Sequence, residues 1–275
     1  MIPCFNDGAT VGEAVASVRE QEPCELVVVN DGSEDDATLG RLEELQAEGV
    51  RVVHQVNRGL SAARMTGVDA TSAQYVYPLD ADDLLAPGAV TRLADALDAH
   101  PDAACAWGGT EVFGDYSHVA RHPGRLDPWR VTVFNQLPYA GMFKRSALME
   151  VGGWQLKGGY EDWDLWMALA ERGYEGMGVP GVTTLYRVHG SRMWREAVGR
   201  HEEIFAVLRA RHPELFAARR ANWRRSDSGW LLKLALPAVD AIPVPFRTKR
   251  RLYLVLTNPR RALAVAIHRL RRSGT

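Results

Sequence analysis

Three carboxylates stand within four positions of the chain, at Asp80, Asp82 and Asp83, directly after the largely apolar run 75–79. A short apolar run of this length favours a buried strand, which would place the carboxylates together at its end. Crowded carboxylates repel one another and lose hydration, so a cation should neutralise them. Oxygen ligands at this density suit a hard divalent ion such as Mg²⁺ or Mn²⁺. The three residues alone leave open an acidic turn that caps the next helix.

Two other acidic positions have the surroundings of a binding or catalytic site. Asp31 follows a run of apolar residues and precedes Gly32, so a tight turn can present its carboxylate to the N–H of a ligand; a helix-capping turn is the alternative. Glu161 and Asp162 open a predicted helix. Consecutive helical residues point in different directions, so one carboxylate can enter a site while the other braces the structure. The alternative is that both acidic side chains only stabilise the N-terminus of the helix, where the helix dipole favours negative charge.

The elements that must position these residues alternate between strands and helices. Apolar runs predict strands over 25–30, 50–55 and 75–79, and helices are predicted over 10–20, 33–48, 61–71 and 87–100, with Ser33 as an N-cap. Repeated β-α-β units predict an α/β fold with a mostly parallel sheet and helices on both faces. Ligands of such sheets bind at the carboxyl ends of the strands, where Asp31 and Asp80 are expected. Only two residues precede Pro3, so the first strand is short or the native start lies upstream.

Six motifs in order and spacing carry a resemblance to a known family. The chain resembles a family 2 inverting glycosyltransferase of the GT-A fold over roughly residues 2–195. The resemblance implies a Rossmann-like catalytic domain over 1–195 and leaves 196–275 as a basic helical extension. The motifs lie at Ile2–Gly8, Leu26–Ser33, Asn57–Arg64, Leu79–Asp83, Gly159–Trp166 and Tyr186–His189.

The resemblance also implies roles for individual residues. Asp162 would be the general base that removes a proton from the acceptor hydroxyl, with Glu161 beside it, and the donor would be a nucleotide-sugar, usually of uracil. Its diphosphate would be bridged by Mn²⁺ or Mg²⁺. Trp163 and Gly159 would face the acceptor, with Trp154 and Trp166 as further candidates for stacking, and core packing is the alternative that we expect for at least one of the three tryptophans. Donor contacts would come from Pro3, Phe5, Asn6, Asp31, Arg64 and Asp80, and metal contacts from Asp80, Asp82 and His189.

Charge is distributed unevenly along the chain. Residues 1–195 carry 16 basic and 28 acidic residues, whereas residues 196–275 carry 17 basic and 6 acidic residues. Cations interleaved with apolar and aromatic residues, as around Trp230, Phe246 and Tyr253, favour an amphipathic surface on anionic lipid. Docking of this tail on the acidic domain is the alternative, and no nucleic-acid recognition motif accompanies the charge. The tail motifs at 260–261 and 269–272 extend the same pattern.

Composition constrains compartment and partners. Three widely spaced cysteines indicate neither a disulfide framework nor a zinc site, and no run of eighteen uncharged apolar residues occurs. We therefore expect a cytoplasmic protein, peripheral on the inner face of the membrane, with a glycan or lipid-linked acceptor. A non-catalytic, membrane-associated nucleotide-sugar-binding module and a nucleotidyltransferase-like enzyme are the alternatives. The latter would want a Gly-rich basic loop after the first strand, and residues 2–9 contain no lysine or arginine.

Overall fold

The computed structural model describes residues 1–19, 24–189 and 193–259. The first 69 residues form a three-stranded parallel sheet in the order β1-β2-β3, with helices on both faces. The strands are β1 (Ile2–Cys4), β2 (Val27–Asp31) and β3 (Arg51–Gln55), and the helices are α1 (Gly8–Arg19), α2 (Asp36–Ala47) and α3 (Leu60–Asp69).

The apolar run of β2 explains why this strand is central. Val28 packs with the α1 and α2 side of the sheet, whereas Val27 and Val29 pack with Ala63 of α3 on the other side. Successive residues of a strand point to opposite faces, so a strand covered on both faces must be apolar throughout. The N-cap of α2 is Asp35, whose carboxylate accepts from the Thr38 N–H, and not Ser33 as the sequence suggested.

A second sheet of six strands has the order β4-β8-β6-β9-β5, with β7 paired to β6. Only β6 and β9 run parallel; the other pairs are antiparallel, so the mostly parallel sheet that we predicted is confined to the first sheet and this pair. The β6–β9 pair can be parallel because a long crossover joins the two strands. The strands are β4 (Tyr75–Val76), β5 (Leu84–Leu85), β6 (Ala103–Gly114), β7 (His118–Ala120), β8 (Met142–Lys144) and β9 (Glu175–Val188).

Three helices accompany the second sheet, and the crossover carries two of them. An aromatic core forms where α6 packs on the sheet, and it contains the side chains of Trp107, Phe143, Trp154, Trp163 and Trp166. The ring centroids of Trp107 and Trp166 lie 5.4 Å apart in an edge-on arrangement. The helices are α4 (Ala89–Ala99), α5 (Arg145–Glu150) and α6 (Glu161–Glu171), with a 3-10 turn at Arg130–Thr132.

The C-terminal region is helical, as predicted, and it packs against the rest of the chain. Leu208 and Leu215 join the aromatic core. A separate apolar cluster joins the last two helices to the segment 129–134, and its buried members are Trp129, Val133, Phe134, Leu236, Val239, Phe246, Tyr253 and Leu254. The helices are α7 (Met193–Gly199), α8 (His201–Arg211), α9 (Pro213–Ala217), α10 (Arg219–Arg225), α11 (Trp230–Ala241) and α12 (Phe246–Thr257).

The sequence offered docking of the tail on the acidic domain as the alternative to membrane contact. This docking is present over the described residues. The basic motifs at 260–261 and 269–272 lie outside them. Within the described ranges, no helix has both the length and the apolarity required to cross a bilayer.

Candidate active site

A cleft of about 1810 Å³ opens at the carboxyl ends of β1 and β2 and continues towards the tail helices. Ten of the residues that the sequence singled out line it, although they come from distant parts of the chain. These are Pro3, Phe5, Asp31, Asp80, Asp82, Gly159, Glu161, Asp162, Trp163 and His189. The fold thus brings the predicted donor, metal and catalytic positions to one place.

The three carboxylates that follow β4 form a compact cluster. One oxygen from each of Asp80, Asp82 and Asp83 lies within 4.8 Å of the others. Asp83 turns inward: its oxygens accept from the Tyr139 hydroxyl at 2.5 Å and from the Arg187 N–H at 2.7 Å. Burial and the adjacent carboxylates raise the pKa of Asp83 well above its usual range. Asp80 and Asp82 remain the pair that faces the cleft.

His189 stands beside this pair at the end of β9. Its Nε2 lies 2.9 Å from Oδ2 of Asp82, and the imidazole is exposed. The predicted metal set of Asp80, Asp82 and His189 is therefore close together, and Asp83 is an additional member of the group. Carboxylate and imidazole groups in this arrangement fit a divalent ion such as Mn²⁺ or Mg²⁺.

Arg64 differs from the sequence interpretation, because it does not line the cleft. Its side chain is fully buried and bridges two carboxylates, Asp80 at 2.8 Å and Glu161 at 3.1 Å. Direct contact with a donor is therefore not available to this guanidinium. A planar fork suits two acceptors at once, so Arg64 positions Asp80 and Glu161 relative to each other.

The carboxylate of Asp31 is buried at the end of β2 and fixes the loop that precedes α3. Its Oδ1 accepts from Gln55 Nε2 at 2.6 Å and from the Arg58 N–H at 2.9 Å, and its Oδ2 accepts from the Gly59 N–H at 2.8 Å. An ionised carboxylate can accept about four hydrogen bonds, so capacity for one ligand N–H remains. Pro3 and the half-exposed Phe5 lie on the same part of the cleft wall.

Asn6 is a second residue that the structure places away from the cleft. Its φ is +57°. Its Oδ1 accepts from the Glu34 N–H at 2.9 Å, and its own N–H donates to the Ser33 hydroxyl at 3.0 Å. Asn6 therefore shapes the loop between β1 and α1, and its role as a donor contact stays a prediction.

A sharp turn presents Asp162 at the start of α6. Gly158, Gly159 and Tyr160 all have positive φ, and a Cβ on Gly159 would lie 2.6 Å from the Cβ of Ala197. Glycine is required at this position both for its backbone angle and for the close approach of α7. Asp162, unlike the buried Glu161, is half-buried and open to the cleft.

The surroundings of Asp162 tune its proton affinity. Burial and the neighbouring Glu161 carboxylate raise the pKa of Asp162 to about 7. The Asn135 amide donates to Oδ2 of Asp162 at 2.9 Å and holds the carboxylate in place. A carboxylate with this pKa can accept a proton at neutral pH and hold it, which is the property of a general base.

Known proteins resemble this chain both in sequence and in fold. The profile of "Glycosyl transferase family 2" matches residues 1–152. The chain belongs to glycosyl transferase family 2. Its relatives include the uncharacterized glycosyltransferase EpsJ of Bacillus subtilis (strain 168), which is 33% identical over 103 residues, covering 36% of this chain and 29% of that protein. The first curated relatives are matched over less than two thirds of their own length.

Solved structures resemble this family 2 glycosyltransferase along most of its length. Staphylococcus aureus TarS in complex with UDP-GlcNAc has a TM-score of 0.59 at 14% identity, covering 92% of this chain and 78% of that one. The mannosyltransferase PcManGT of Pyrobaculum calidifontis, solved with GDP-Man and Mn²⁺, has a TM-score of 0.56 at 19% identity, covering 98% of this chain and 85% of that one. The predicted GT-A fold is therefore confirmed.

The tryptophans of the glycosyltransferase are a correction to the sequence analysis. Trp163 touches the cleft but is only 2% exposed, and its indole N–H donates to the Val131 carbonyl at 2.6 Å. Trp154 and Trp166 are also core residues. None of the three has a free ring face on which a sugar could stack. Their contribution is to hold α6, and with it Asp162, in position.

Sequence reasoning missed several residues of the cleft. Asp7 lines it beside the acidic pair, and burial, followed by the charge of Asp82, raises the pKa of Asp7 to about 6. Asp7 lies within the motif Ile2–Gly8, so its position could have signalled a role. Asn135 lies in an irregular segment that carries no such signal. The cleft is also lined by tail residues, which the division of the chain at 195 had left out of the site: Phe246, Arg250, Arg251 and Leu254.

Proposed function

We propose that this protein transfers a sugar from a nucleoside-diphosphate donor, with UDP as the first candidate nucleotide, to a hydroxyl of a glycan or lipid-linked acceptor, with inversion at the anomeric carbon. The observation that carries the proposal is one cleft that holds both the Asp80–Asp82 pair and Asp162, whose pKa is raised to about 7. The Asp80–Asp82 pair suits the binding of a metal ion and a charged leaving group, and Asp162 suits the removal of a proton from the acceptor.

The donor would lie along the first sheet. Pro3, Phe5 and the remaining acceptor capacity of Asp31 would receive the nucleobase and ribose. Asp80, Asp82 and His189 would hold Mn²⁺ or Mg²⁺ against the diphosphate. A bound divalent ion supplies neutralisation of the charge that develops on the leaving diphosphate. Support comes from a glucosyl-3-phosphoglycerate synthase of Mycobacterium tuberculosis, which shares the fold at a TM-score of 0.56 and was solved with UDP and Mn²⁺.

The reaction would be a single displacement. The acceptor hydroxyl oxygen attacks the anomeric carbon and forms the new glycosidic bond, while the bond from that carbon to the diphosphate oxygen breaks. The hydroxyl proton passes to the carboxylate of Asp162, and the nucleoside diphosphate leaves. One base and no enzyme nucleophile are needed for inversion. Glu161, which is held by Arg64, would brace Asp162 in this step.

The test of the activity is transfer and donor hydrolysis with a panel of nucleotide-sugars in the presence of Mn²⁺. We expect Asp162→Asn to bind the donor normally but to turn over at least ~100-fold more slowly, the usual scale for loss of a general base. Asp164→Asn is not a suitable control, because Asp164 pairs with Arg211 and His212. The exposed Asp69→Asn serves instead. Equal turnover by Asp162→Asn and the wild type would overturn the assignment of Asp162 as the base. No turnover by the wild type with any donor would make a non-catalytic binding module the better description.

The metal assignment has its own test. We expect Asp82→Ala to lose metal-dependent UDP binding, with at least ~10-fold weaker affinity in calorimetry with Mn²⁺. Asp82 is partly exposed and faces the cleft, so the fold should survive the change. The same titration without Mn²⁺ should show little difference between the variant and the wild type. Unchanged affinity with Mn²⁺ would remove Asp82 from the metal site.

The membrane is the partner that we propose for the tail. Seven large apolar side chains between residues 230 and 256 are exposed although the same helices also bury an apolar face: Trp230, Leu231, Leu234, Ile242, Leu252, Val255 and Leu256. Exposed apolar surface concentrated in this way marks an interaction site. The accompanying cations favour anionic lipid on the cytoplasmic face, where a lipid-linked acceptor would be within reach of the cleft.

A further inference from the structure

The charges that line the cleft come from two separate sets of elements. Most acidic positions belong to the first 82 residues or to the start of α6, and Asp115 is the exception. The lining arginines come from elsewhere, from the segment 121–134 and from α12. They are Arg121, Arg130, Arg250 and Arg251.

The two elements that supply the arginines form one packed unit. The rings of Phe134 and Tyr253 stack with centroids 5.2 Å apart, within the apolar cluster that joins the segment 129–134 to α12. The Asn258 amide at the end of α12 donates to the Arg121 carbonyl at 3.2 Å. The cationic lining therefore belongs to one wall, distinct from the strands that present Asp31 and Asp80.

The guanidinium of Arg130 is only partly paired in the described part of the chain. One terminal nitrogen donates to the side-chain oxygen of Gln136, whereas Nε is shielded from solvent and has no partner within the described part of the chain. Burial lowers the pKa of the Arg130 guanidinium, and only Asp127 opposes this. The Asp127 carboxylate is itself occupied by the N–H groups of residues 129 and 130 and by the Ser226 hydroxyl. A buried charge without a close counter-ion is costly unless a ligand supplies one.

This wall also approaches the candidate base. Gln136, which accepts from Arg130, is adjacent to Asn135, which donates to Asp162. On the other side, the charge of Arg250 reaches the phenol of Tyr160, two residues before Asp162. An anion bound by Arg130 and Arg250 would therefore lie beside the carboxylate that receives the acceptor proton.

We infer that the arginine wall, defined as Arg121, Arg130, Arg250 and Arg251, is an acceptor subsite for a phosphate group, so that the glycosyl acceptor is a phosphorylated molecule. The inference deepens the proposed function and rests on it. Arginine presents a planar fork of donors that matches phosphate oxygens, and such charge-assisted bonds are among the strongest available to a protein. The donor diphosphate would not compete for this wall, because its own contacts lie on the strands that carry Asp31, Asp80 and Asp82. A phosphate on a polyprenyl lipid and a phosphate on a soluble sugar present the same chemistry.

The experiment saturates the full chain with UDP and Mg²⁺ and then titrates phenyl phosphate by calorimetry, with neutral phenyl β-glucoside as the comparison ligand. We expect phenyl phosphate to bind and the glucoside not to bind. Arg250→Gln and Arg251→Gln should each weaken the affinity for phenyl phosphate by at least ~10-fold, because a hydrogen bond to a charged group contributes more than one to a neutral group. The exposed Arg225→Gln, which lies outside the cleft, is the matched control.

A second arm distinguishes the two sources of phosphate and protects the result from misfolding. Phosphatidylcholine vesicles doped with farnesyl phosphate replace the soluble ligand, and stronger capture than with phenyl phosphate would assign a lipid-linked acceptor. UDP affinity and thermal melting of each variant, measured in parallel, should match the wild type. Binding of both phosphates without any effect of the two substitutions, or no binding of either, would overturn the inference while leaving UDP binding intact. Failure of the wild type to bind UDP would instead overturn the proposed function.

Discussion

At the scale of single residues, the candidate base is tuned by two opposing influences. Burial and the Glu161 charge raise the pKa of Asp162 to about 7, while the Asn135 amide donates to the ionised carboxylate and so favours ionisation. The base works only when it is deprotonated. Transfer should therefore be weak at acid pH, rise through about pH 7 and level off above it.

Asn135→Ala provides the test of this balance. Removing the donor disfavours the carboxylate form, so the inflection in kcat/KM should move to higher pH, by up to about one pH unit for a hydrogen bond worth about 1 kcal/mol. The plateau rate at high pH should change less than the rate at neutral pH. The measurement is a pH–rate profile, with Asn222→Ala on α10 as a control. A shift to lower pH, or none, would mean that Asn135 does not tune Asp162.

The role of a single residue can be predicted from the sequence when it follows from the residues next to it in the chain. Crowded acids and a helix start are visible in the chain, so Asp80, Asp82 and Asp162 could be singled out as candidates, and the structure places all three on one cleft. Their roles stay predictions. The buried state of Arg64 and Trp163 could not be predicted, since each depends on partners about 30 to 100 positions away, Val131 for Trp163 and Glu161 for Arg64. The hydrogen bond from the Glu34 N–H to Oδ1 of Asn6 could not be predicted either, because a motif position says nothing about the direction of a side chain.

At the scale of elements, one buried guanidinium joins three parts of the fold. Arg64 of α3 pairs with Asp80 after β4 and with Glu161 at the start of α6. Burial raises the pKa of Asp80 even with this arginine present. The ion pair therefore sets the separation between the proposed metal pair and the proposed base.

We expect Arg64→Met to lower the free energy of unfolding by about 3–5 kcal/mol, because it leaves two carboxylates buried without their cation. The pKa of Asp80, which burial already raises, would rise further. A carboxyl group with a raised pKa in the folded state costs stability as the pH rises from its unfolded-state pKa towards the raised value, so the deficit should be larger at about pH 8 than at about pH 5. Urea unfolding at both pH values is the measurement, with Arg172→Gln on the surface as the control. A deficit that does not depend on pH would assign the loss to packing alone.

The elements themselves were predictable to different degrees. The first sheet was predictable because continuous apolar runs and β-α-β alternation have a clear period. The order of the second sheet was not, although the apolar run 75–79 predicted a strand that contains β4. Its strands β4, β5 and β8 contain only two or three residues each and are too short for any period. Their pairing partners lie far away in sequence, so only the folded chain defines the antiparallel register.

At the scale of the whole molecule, the docking of the tail on the domain is compatible with the proposed membrane contact, although the sequence presented the two as alternatives. One face of α11 and α12 buries Leu236, Val239 and Tyr253 against the segment 129–134, so the tail forms part of the cleft. The opposite face exposes Trp230, Leu231 and Leu234, at 69%, 63% and 61%. Docking on the domain and contact with lipid can therefore coexist.

This arrangement of the two faces decides how membrane contact should be tested. Deleting residues 226–275 would uncover the apolar cluster of the segment 129–134 and open the cleft, so a loss of function could not be attributed to lipid. The triple substitution of Trp230, Leu231 and Leu234 by Ser changes only the exposed face and keeps the cleft wall. Val56→Ser is the matched control, because Val56 is 78% exposed but lies far from the tail in sequence.

We expect the full chain to co-sediment with vesicles that contain phosphatidylglycerol, and less so with pure phosphatidylcholine. Residues 196–275 carry 17 basic and 6 acidic residues, and each cation near an anionic surface contributes about 1 kcal/mol before screening. Binding should fall as salt rises from about 0.1 M to about 0.5 M, since the Debye length shortens. The triple variant should bind at least ~10-fold more weakly, because it lacks three apolar side chains whose burial in the membrane contributes about 25 cal/mol per Å² of apolar surface. If the wild type stays in the supernatant with anionic vesicles at low salt, the exposed face of α11 serves another partner, and the acceptor need not be held at a membrane.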